Sequence, residues 1–241
     1  PIYRGAYLVE GLGHCSACHT PRNGLAAEKT GEFHLSGGSA EGWDAPALTD
    51  KTASPLPWTK QDLVDYMKTG FSARHSVAAG PMAPVAHGLS QQSDADLDAI
   101  ATYLMSYRKA DAAPGDAKAL IEEKTAKPKL ALDAEGYRLY QGACMACHKA
   151  DPSGSSFGVR PQLALSTSLH SASPDNAIMA VLEGVQHPAH ADLGTMPAFR
   201  HALSDAQIAT LLNTMRAQYG VDEWKDLAAK VGQLRKQTQA H

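Results

Sequence analysis

Two copies of one five-residue motif use every cysteine in this 241-residue chain. The first copy occupies residues 15–19 (CSACH) and the second occupies residues 144–148 (CMACH). In each copy the two thiols are spaced by about one helical turn, and a histidine follows the second thiol at once. This C-x-x-C-H pattern is the attachment signature of covalent c-type haem. The sequence therefore predicts two haem c groups, each with its own iron.

The residue types in the motif follow from the chemistry of attachment. The two thiols add to the two vinyl groups of the porphyrin, and the histidine then lies under the iron as its proximal ligand. The predicted attachment residues are Cys15, Cys18, Cys144 and Cys147, and the predicted proximal ligands are His19 and His148.

Two other uses of a C-x-x-C pair fit the sequence less well. A four-cysteine zinc site usually brings its two pairs within about 15–20 residues, whereas 125 residues lie between Cys18 and Cys144. A thioredoxin-like pair requires a strand–helix–strand setting, whereas the flanks of both motifs have helical patterns.

The chain contains an internal duplication. Gly70 and Gly184 each end a helix-like stretch, and each is followed twelve residues later by a methionine, Met82 or Met196. Each half then has the same order: apolar helix, C-x-x-C-H, Pro-x-Leu, helix, glycine, methionine and final helix.

Met82 and Met196 are the predicted sixth ligands of the two irons. Both lie at matching positions in segments rich in glycine and proline, 80–84 (GPMAP) and 194–197 (GTMP), where we expect loops rather than helical packing. A His/Met pair is the usual arrangement of an electron carrier, because the soft thioether favours ferrous iron. Filling of an apolar gap is the alternative role, and it suits the methionines in helical patterns: Met67, Met105, Met179 and Met215.

Helical periodicity dominates the chain. Ser93 or Asp94, Ser204 and Asp133 are predicted to cap three helices, since each precedes apolar residues at helical spacing. Almost no stretch alternates apolar and polar residues, so we expect no real sheet.

Composition excludes several classes of function. The net charge is -3, which argues against a broad nucleic-acid surface, and no apolar run approaches the ~20 residues of a membrane span. Only 6% of the residues are aromatic, so we expect the haem groups to fill much of the interior.

The patterns divide the chain into four segments. We predict a first domain at 1–109, a linker at 110–131 with a short helix near 117–124, a second domain at 132–220 and a helical tail at 221–241. One face of the tail is apolar (Trp224, Leu227, Val231 and Leu234). Packing on its own domain and contact with a partner or a membrane surface are both open for that face.

Several longer strings resemble one protein family. Residues 4–15 (RGAYLVEGLGHC), 19–23 (HTPRN) and 76–82 (SVAAGPM) are similar to the second haem module of the multi-haem cytochrome c subunits of bacterial membrane-associated dehydrogenases. Residues 196–199 (MPAF) and 203–205 (LSD) resemble the third module. The resemblance extends to about Gly220.

The resemblance implies an all-α fold of two tandem class I cytochrome c domains. It also implies that the carbonyl groups of Pro46 and Pro161 accept the second ring N–H of the proximal histidines. Such subunits carry single electrons in the periplasm and catalyse no reaction themselves. The donor would be a dehydrogenase subunit of the alcohol, aldehyde or gluconate type, and the acceptor a quinone, a cytochrome or an oxidase.

The chain departs from this family in the number of modules. Family members usually carry three haem modules, and only two are present here. Because Pro1 stands just ahead of the helix that opens the second module, we expect a chain that lacks an N-terminal module; a natural two-haem periplasmic cytochrome is the alternative.

A di-haem peroxidase or a haem-based sensor is the alternative function. Either needs an iron with an open or displaceable sixth position, and histidines near the two methionines offer other ligands: His75, His87, His170, His187, His190 and His201. The two matching methionine segments favour the electron carrier.

Overall fold

A computed structural model describes residues 1–108, 113–126, 132–149, 160–186 and 193–238, which are mostly helical. The N-terminal half contains α1 (Ile2–Ala6), α2 (Ser16–His19), α3 (Lys60–Thr69), α4 (Met82–Ser90) and α5 (Asp94–Met105). The segment between the halves contains α6 (Ala117–Ala126). The C-terminal half contains α7 (Ala134–Leu139), α8 (Met145–His148), α9 (Thr167–His170), α10 (Asp175–Glu183), α11 (Asp205–Gln218) and α12 (Leu227–Gln237). Short 3-10 turns occupy Gly31–Phe33 and Leu163–Leu165.

The predicted helix starts are confirmed at the level of single hydrogen bonds. Ser93 caps α5 by accepting from the Asp96 N–H, Asp133 caps α7, and Ser204 caps α11 in a reciprocal capping box. A second capping box, formed by Thr59 and Asp62, begins α3.

A π-helical segment precedes each C-x-x-C-H motif. It spans Tyr7–Leu12 in the first half and Tyr140–Cys144 in the second. Each π segment continues a short helix that crosses a longer helix at a glycine: α1 crosses α5, and α7 crosses α11. A Cβ at Gly5 would stand 2.0 Å from the Ala99 oxygen, and a Cβ at Gly136 would stand 2.0 Å from the Thr214 hydroxyl.

The expectation of no real sheet is wrong in one place. Strands β1 (Gly38–Ala40) and β2 (Trp43–Ala45) form an antiparallel hairpin, and both residues of its turn, Glu41 and Gly42, have positive φ. Three-residue strands are too short for a period-two pattern to show in the sequence, and Glu at a position of positive φ gives no turn signal.

Each half has its own apolar cluster, and the two differ in size. Among the described residues, eight buried apolar side chains form the N-terminal cluster, and twenty-one form the C-terminal one. The C-terminal cluster includes Ile121 of α6 and three residues of α12, Leu227, Val231 and Leu234. The apolar face of the tail is therefore buried against its own half and is not left open for a partner or a membrane surface.

The two halves contact each other through the hairpin and the chain beyond it. Leu56 belongs to the C-terminal cluster, and Trp43 packs against it. The side chain of Asn176, in the first turn of α10, bonds twice to the Asp44 backbone. A cleft of about 340 Å³ lies beside this contact, with Pro46 and Asn176 in its wall.

Candidate haem-binding sites

The first predicted proximal ligand has a fixed ring orientation. His19 ends α2, and its Nδ1–H donates to the Pro46 carbonyl oxygen at 2.7 Å, which leaves Nε2 for an iron. Burial lowers the pKa of His19, and the bond to Pro46 opposes that shift. The ring is therefore neutral, as a metal ligand must be.

The hairpin forms the wall beside this motif. The Gly37 N–H, just before β1, donates to the His19 carbonyl at 2.8 Å, and the Pro46 carbonyl, just after β2, accepts from the His19 ring. Both ends of the hairpin are therefore bonded to His19. A Cβ at Gly38 would stand 2.3 Å from the Cys18 carbonyl oxygen, so only glycine allows β1 to lie this close. The short hairpin thus supports both the backbone and the ring of His19.

Met82 lies at the start of a helix rather than on a loop. It is the first residue of α4 and is half-buried, which corrects the expectation from the surrounding prolines. Pro81 precedes the helix and Pro84 lies in its first turn, where a missing N–H costs nothing. Two residues before Met82, Gly80 has φ of 51°, and a Cβ there would stand 2.3 Å from the Trp43 ring.

The second motif has the same helical turn with different partners. His148 ends α8, and its carbonyl accepts a hydrogen bond from the Tyr140 hydroxyl. Its Nδ1 is buried and makes no hydrogen bond of normal geometry, although the Pro161 carbonyl is close enough to favour a protonated ring. Burial first, and the nearby Arg160 charge second, lower the pKa of His148.

Met196 is held in place by two backbone hydrogen bonds. Its N–H and C=O pair with Val185, both at 3.0 Å, and its side chain is half-buried against the C-terminal cluster. A Cβ at Gly194, two residues earlier, would stand 2.5 Å from the Arg160 guanidinium. Arg160 therefore packs against the glycine two residues before Met196, just as Trp43 packs against the glycine two residues before Met82.

The four cysteines suit covalent attachment. None is in a disulfide; Cys18 is exposed, and the other three are half-buried. Burial raises the pKa of the Cys15 thiol, and it raises that of Cys144 to about 11. Large apolar side chains are exposed beside two predicted haem residues: Leu12, three residues before Cys15, is 67% exposed, and Val85, three residues after Met82, is 49% exposed. Exposed apolar surface beside the predicted attachment and ligand residues fits a site that an apolar group such as a haem would cover.

The other aromatic and histidine side chains give a mixed picture. Trp58 stacks on the buried His75 ring at 3.8 Å and meets Tyr66 edge to face, so these three rings pack together. Of the other alternative ligands, His170 is half-buried and bonds to the Ser166 carbonyl. His87 and His201 are exposed. His187 and His190 lie outside the described residues. Within the described ranges, no three His, Cys, Asp or Glu side chains come together as a metal cluster.

The sequence did not reveal a polar cluster around Asp62. This buried carboxylate accepts from Thr59 and Arg74, and His75 Nε2 lies 3.4 Å from it. Burial alone would raise the pKa of Asp62, but the interactions with His75 and Thr59 outweigh it and lower the pKa far below its usual range. Its only sequence signal was the Thr-x-x-Asp spacing of a capping box.

Comparison with known proteins decides the family. The cytochrome c family model matches residues 3–108 and again residues 134–217. The chain belongs to the cytochrome c family. As a member, this cytochrome is an electron-transfer protein that carries haem, and not a catalytic subunit.

The curated relatives confirm the resemblance to dehydrogenase subunits. The cytochrome is 42% identical to a nicotinate dehydrogenase subunit of Pseudomonas putida over 99% of its length and 20% of that protein. It is 35% identical to the fructose dehydrogenase cytochrome subunit of Gluconobacter japonicus and 36% identical to the gluconate 2-dehydrogenase cytochrome c subunit of Pantoea cypripedii. These matches cover 96% and 100% of the cytochrome, and 51% and 58% of the relatives.

The chain thus spans between a fifth and three fifths of the length of these relatives. In the part of the cytochrome that the structure describes, no helix is both long enough and apolar enough to cross a membrane.

Proposed function

We propose that this cytochrome is a di-haem electron carrier built from two tandem class I domains, 1–109 and 132–220, joined by the linker 110–131 and followed by the tail 221–241. One haem c would be attached at Cys15 and Cys18 and the other at Cys144 and Cys147. The axial pairs would be His19 with Met82 and His148 with Met196. The observation that carries the proposal is the His19 ring, which is neutral, oriented by Pro46 and placed directly after two unpaired thiols.

Each proximal histidine has a defined task. Bound haem iron supplies a one-electron couple between its ferric and ferrous states. The bond from Nδ1–H of His19 to Pro46 fixes the ring tautomer and makes Nε2 a better donor to that iron. Burial keeps His148 neutral as it does His19, and the nearby Arg160 charge adds to that effect.

The methionines complete the proposed sites from separate structural supports. Met82 is the first residue of α4, and Met196 is held by two backbone hydrogen bonds with Val185. Neither support requires movement when an electron arrives, so both ligands can stay in place in both oxidation states. Four thioether bonds would retain the cofactors through every cycle.

The proposed partners follow from the relatives. Three of them are named as parts of dehydrogenases for nicotinate, fructose and gluconate. We therefore assign a dehydrogenase as the donor, and a quinone, a cytochrome or an oxidase as the acceptor, at the periplasmic face of the membrane, where haem c attachment takes place. Electrons pass one at a time from the donor through the cytochrome to the acceptor, and the cytochrome itself makes and breaks no bond.

An optical redox titration tests the proposal. We expect two haems per chain, both with the weak red absorption that marks methionine sulfur on ferric iron, and both reduced at positive potential. Met82→His and Met196→His should each remove that absorption from one haem only and lower its potential, on the order of 0.1 V or more.

Met67 supplies the matched control. It is a buried helical methionine of the N-terminal cluster, so Met67→Leu should leave both absorptions unchanged. A haem in the parent protein that lacks the absorption and binds carbon monoxide or peroxide readily would instead favour the peroxidase or sensor alternative for that site.

A further inference from the structure

The hairpin that orients His19 is bonded to the other half of the molecule. The Asn176 Nδ2–H donates to the Asp44 carbonyl at 2.7 Å, and the Asn176 Oδ1 accepts from the Asp44 N–H at 2.8 Å. One amide therefore satisfies both backbone groups of a single residue of β2. Asp44 lies two residues before Pro46, whose carbonyl holds the His19 ring.

The geometry of the hairpin makes this contact specific. In an antiparallel pair, alternate residues turn their N–H and C=O away from the partner strand. Asp44, opposite Ser39, turns both groups to Asn176. The amide thus completes the outer edge of β2 as a third strand would, and it limits rotation of the peptide units that lead to Pro46.

Asn176 itself is rigidly supported. It lies in the first turn of α10, and two later residues of that helix, Ile178 and Leu182, are fully buried. The neighbouring Asp175 is paired with Lys230 of α12 at 3.1 Å. The amide is therefore fixed to the larger apolar cluster of the molecule, whereas β2 belongs to the half with the smaller one.

We propose that Asn176 is a positioning residue for the first haem, through which the C-terminal half sets the orientation of His19. The inference rests on the proposed function, because it requires His19 to be a proximal ligand. The connection runs from the Asn176 amide to the Asp44 backbone, along the chain to the Pro46 carbonyl, and from there to the His19 ring.

The sign of the effect follows from the Pro46 bond. If β2 loses its outer support, the Pro46 carbonyl is held less firmly, and the Nδ1–H bond of His19 weakens. A weaker bond makes the ring a poorer electron donor to the iron, which favours the ferrous state. Loss of the Asn176 amide should therefore favour reduction of the first haem and leave the second haem unaffected.

The test is Asn176→Ala in the full two-haem chain, with Met82→His used separately to identify the reduction step of the first haem. We expect the equilibrium constant for reduction of the first haem to rise about threefold. The ferric-state NMR shifts of its haem methyl groups, which report imidazole orientation, should change as well, and both measurements should stay constant for the second haem.

Asn213 offers a matched control in the same half. Its amide makes the same two bonds to one backbone, donating to the Trp224 carbonyl at 3.1 Å and accepting from the Trp224 N–H at 3.0 Å. Asn213→Ala removes an equal pair of bonds at a place with no connection to His19. It should change neither the reduction constant nor the methyl shifts of the first haem.

Four outcomes would overturn the inference. Asn176→Ala could leave the first haem unchanged, or Asn213→Ala could change the first haem as much as Asn176→Ala does. If two covalent haems and the Met82→His effect persist in either case, the inference about Asn176 fails while the proposed function remains. If Met82→His alters neither reduction step, the ligand assignment fails and the inference fails with it. Should the alanine variant yield no two-haem protein, Asn176→Gln keeps the amide but displaces it by one methylene, and a first haem unaltered in that variant would also overturn the inference.

Discussion

The first half orients its predicted proximal histidine, His19, with a hydrogen bond, whereas the second half buries His148 near a cation, Arg160. Nδ1 of His19 donates to Pro46, and an indole packs against the glycine two residues before Met82. Nδ1 of His148 makes no hydrogen bond of normal geometry, and a guanidinium packs against the glycine two residues before Met196. The duplication kept the attachment motif and changed its surroundings, so we expect two irons with different reduction equilibria.

The halves also differ in how much of their interior is protein. Counted over the described residues, the N-terminal cluster contains eight buried apolar side chains and the C-terminal cluster contains twenty-one, with α6 and α12 contributing to it. A porphyrin would therefore make up a larger share of the core in the first half, and the two halves should respond differently to its loss.

Removal of haem should produce the largest difference in stability between the two halves. In chain produced without haem, we expect α3 and α5 to lose protection from hydrogen exchange, because their core lacks its largest component. Helices α10 and α11 should keep partial protection. Exchange measured by mass spectrometry checks this, and equal protection in both halves would contradict it.

The two helix crossings should respond alike to an added methyl group. Gly5→Ala and Gly136→Ala each place a Cβ 2.0 Å from an oxygen, so each should reduce the free energy of unfolding by about 1–3 kcal/mol. Gly88→Ala, in α4 with nothing within 4 Å of the new atom, should instead add about 0.5–1 kcal/mol. Urea unfolding of the three variants gives the comparison, and a harmless change at Gly136 would show that the crossings are not equivalent.

Acid should destabilise the first half before the second. The folded-state pKa of Asp62 is lowered, so its contribution is complete above the unfolded-state pKa of about 3.9 and is lost as pH falls below that value. The capping box of α11 contains neutral Gln207 instead. We expect a loss on the order of 2 kcal/mol from the first half below about pH 4.

Substitutions at the two capping boxes sharpen this acid test. Asp62→Asn should abolish the loss in the first half, whereas Gln207→Glu should introduce a smaller one in α11. Urea unfolding at neutral and acid pH, followed separately in the two halves by hydrogen exchange, measures both. An unchanged pH profile in Asp62→Asn would refute the assignment to this carboxylate.

The smallest expected effect concerns Arg160. Its charge lies near His148 and Gly194, and a cation disfavours the extra positive charge of ferric iron. Arg160→Gln should lower the equilibrium constant for reduction of the second haem about two- to fivefold and leave the first unchanged. Arg138→Gln, at an exposed site of α7, is the control, and an equal shift from both variants would indicate general surface charge.

Sequence reasoning worked where the relevant contact is local. Ser93, Asp133 and Ser204 cap the helices that they were predicted to cap, because a cap bonds to an N–H only two or three residues away. The glycine at position 70 ends α3 in the left-handed conformation for the same local reason. The attachment motifs are likewise contained in five residues each, so predicting their chemistry requires no knowledge of the fold; that assignment stays a prediction.

Sequence reasoning failed where a contact joins distant segments, or where a helix differs only in the spacing of its backbone hydrogen bonds. Asp44 and Asn176 lie 132 residues apart, and neither has a local signature that pairs it with the other. The π-helical segments before both motifs differ from α-helix by one residue in hydrogen-bond spacing, which side-chain periodicity does not report. The amphipathic pattern of α12 predicted a buried face but left its partner open.

The bond between Asp44 and Asn176 limits how far the duplicated unit can stand alone. Cutting the chain between the halves would leave the outer edge of β2 with an unpaired N–H and C=O, and would uncover Trp43 and Leu56. Exposed strand edges beside apolar side chains promote association between chains. We therefore expect a separated N-terminal half to self-associate, whereas the same half within the full chain is covered.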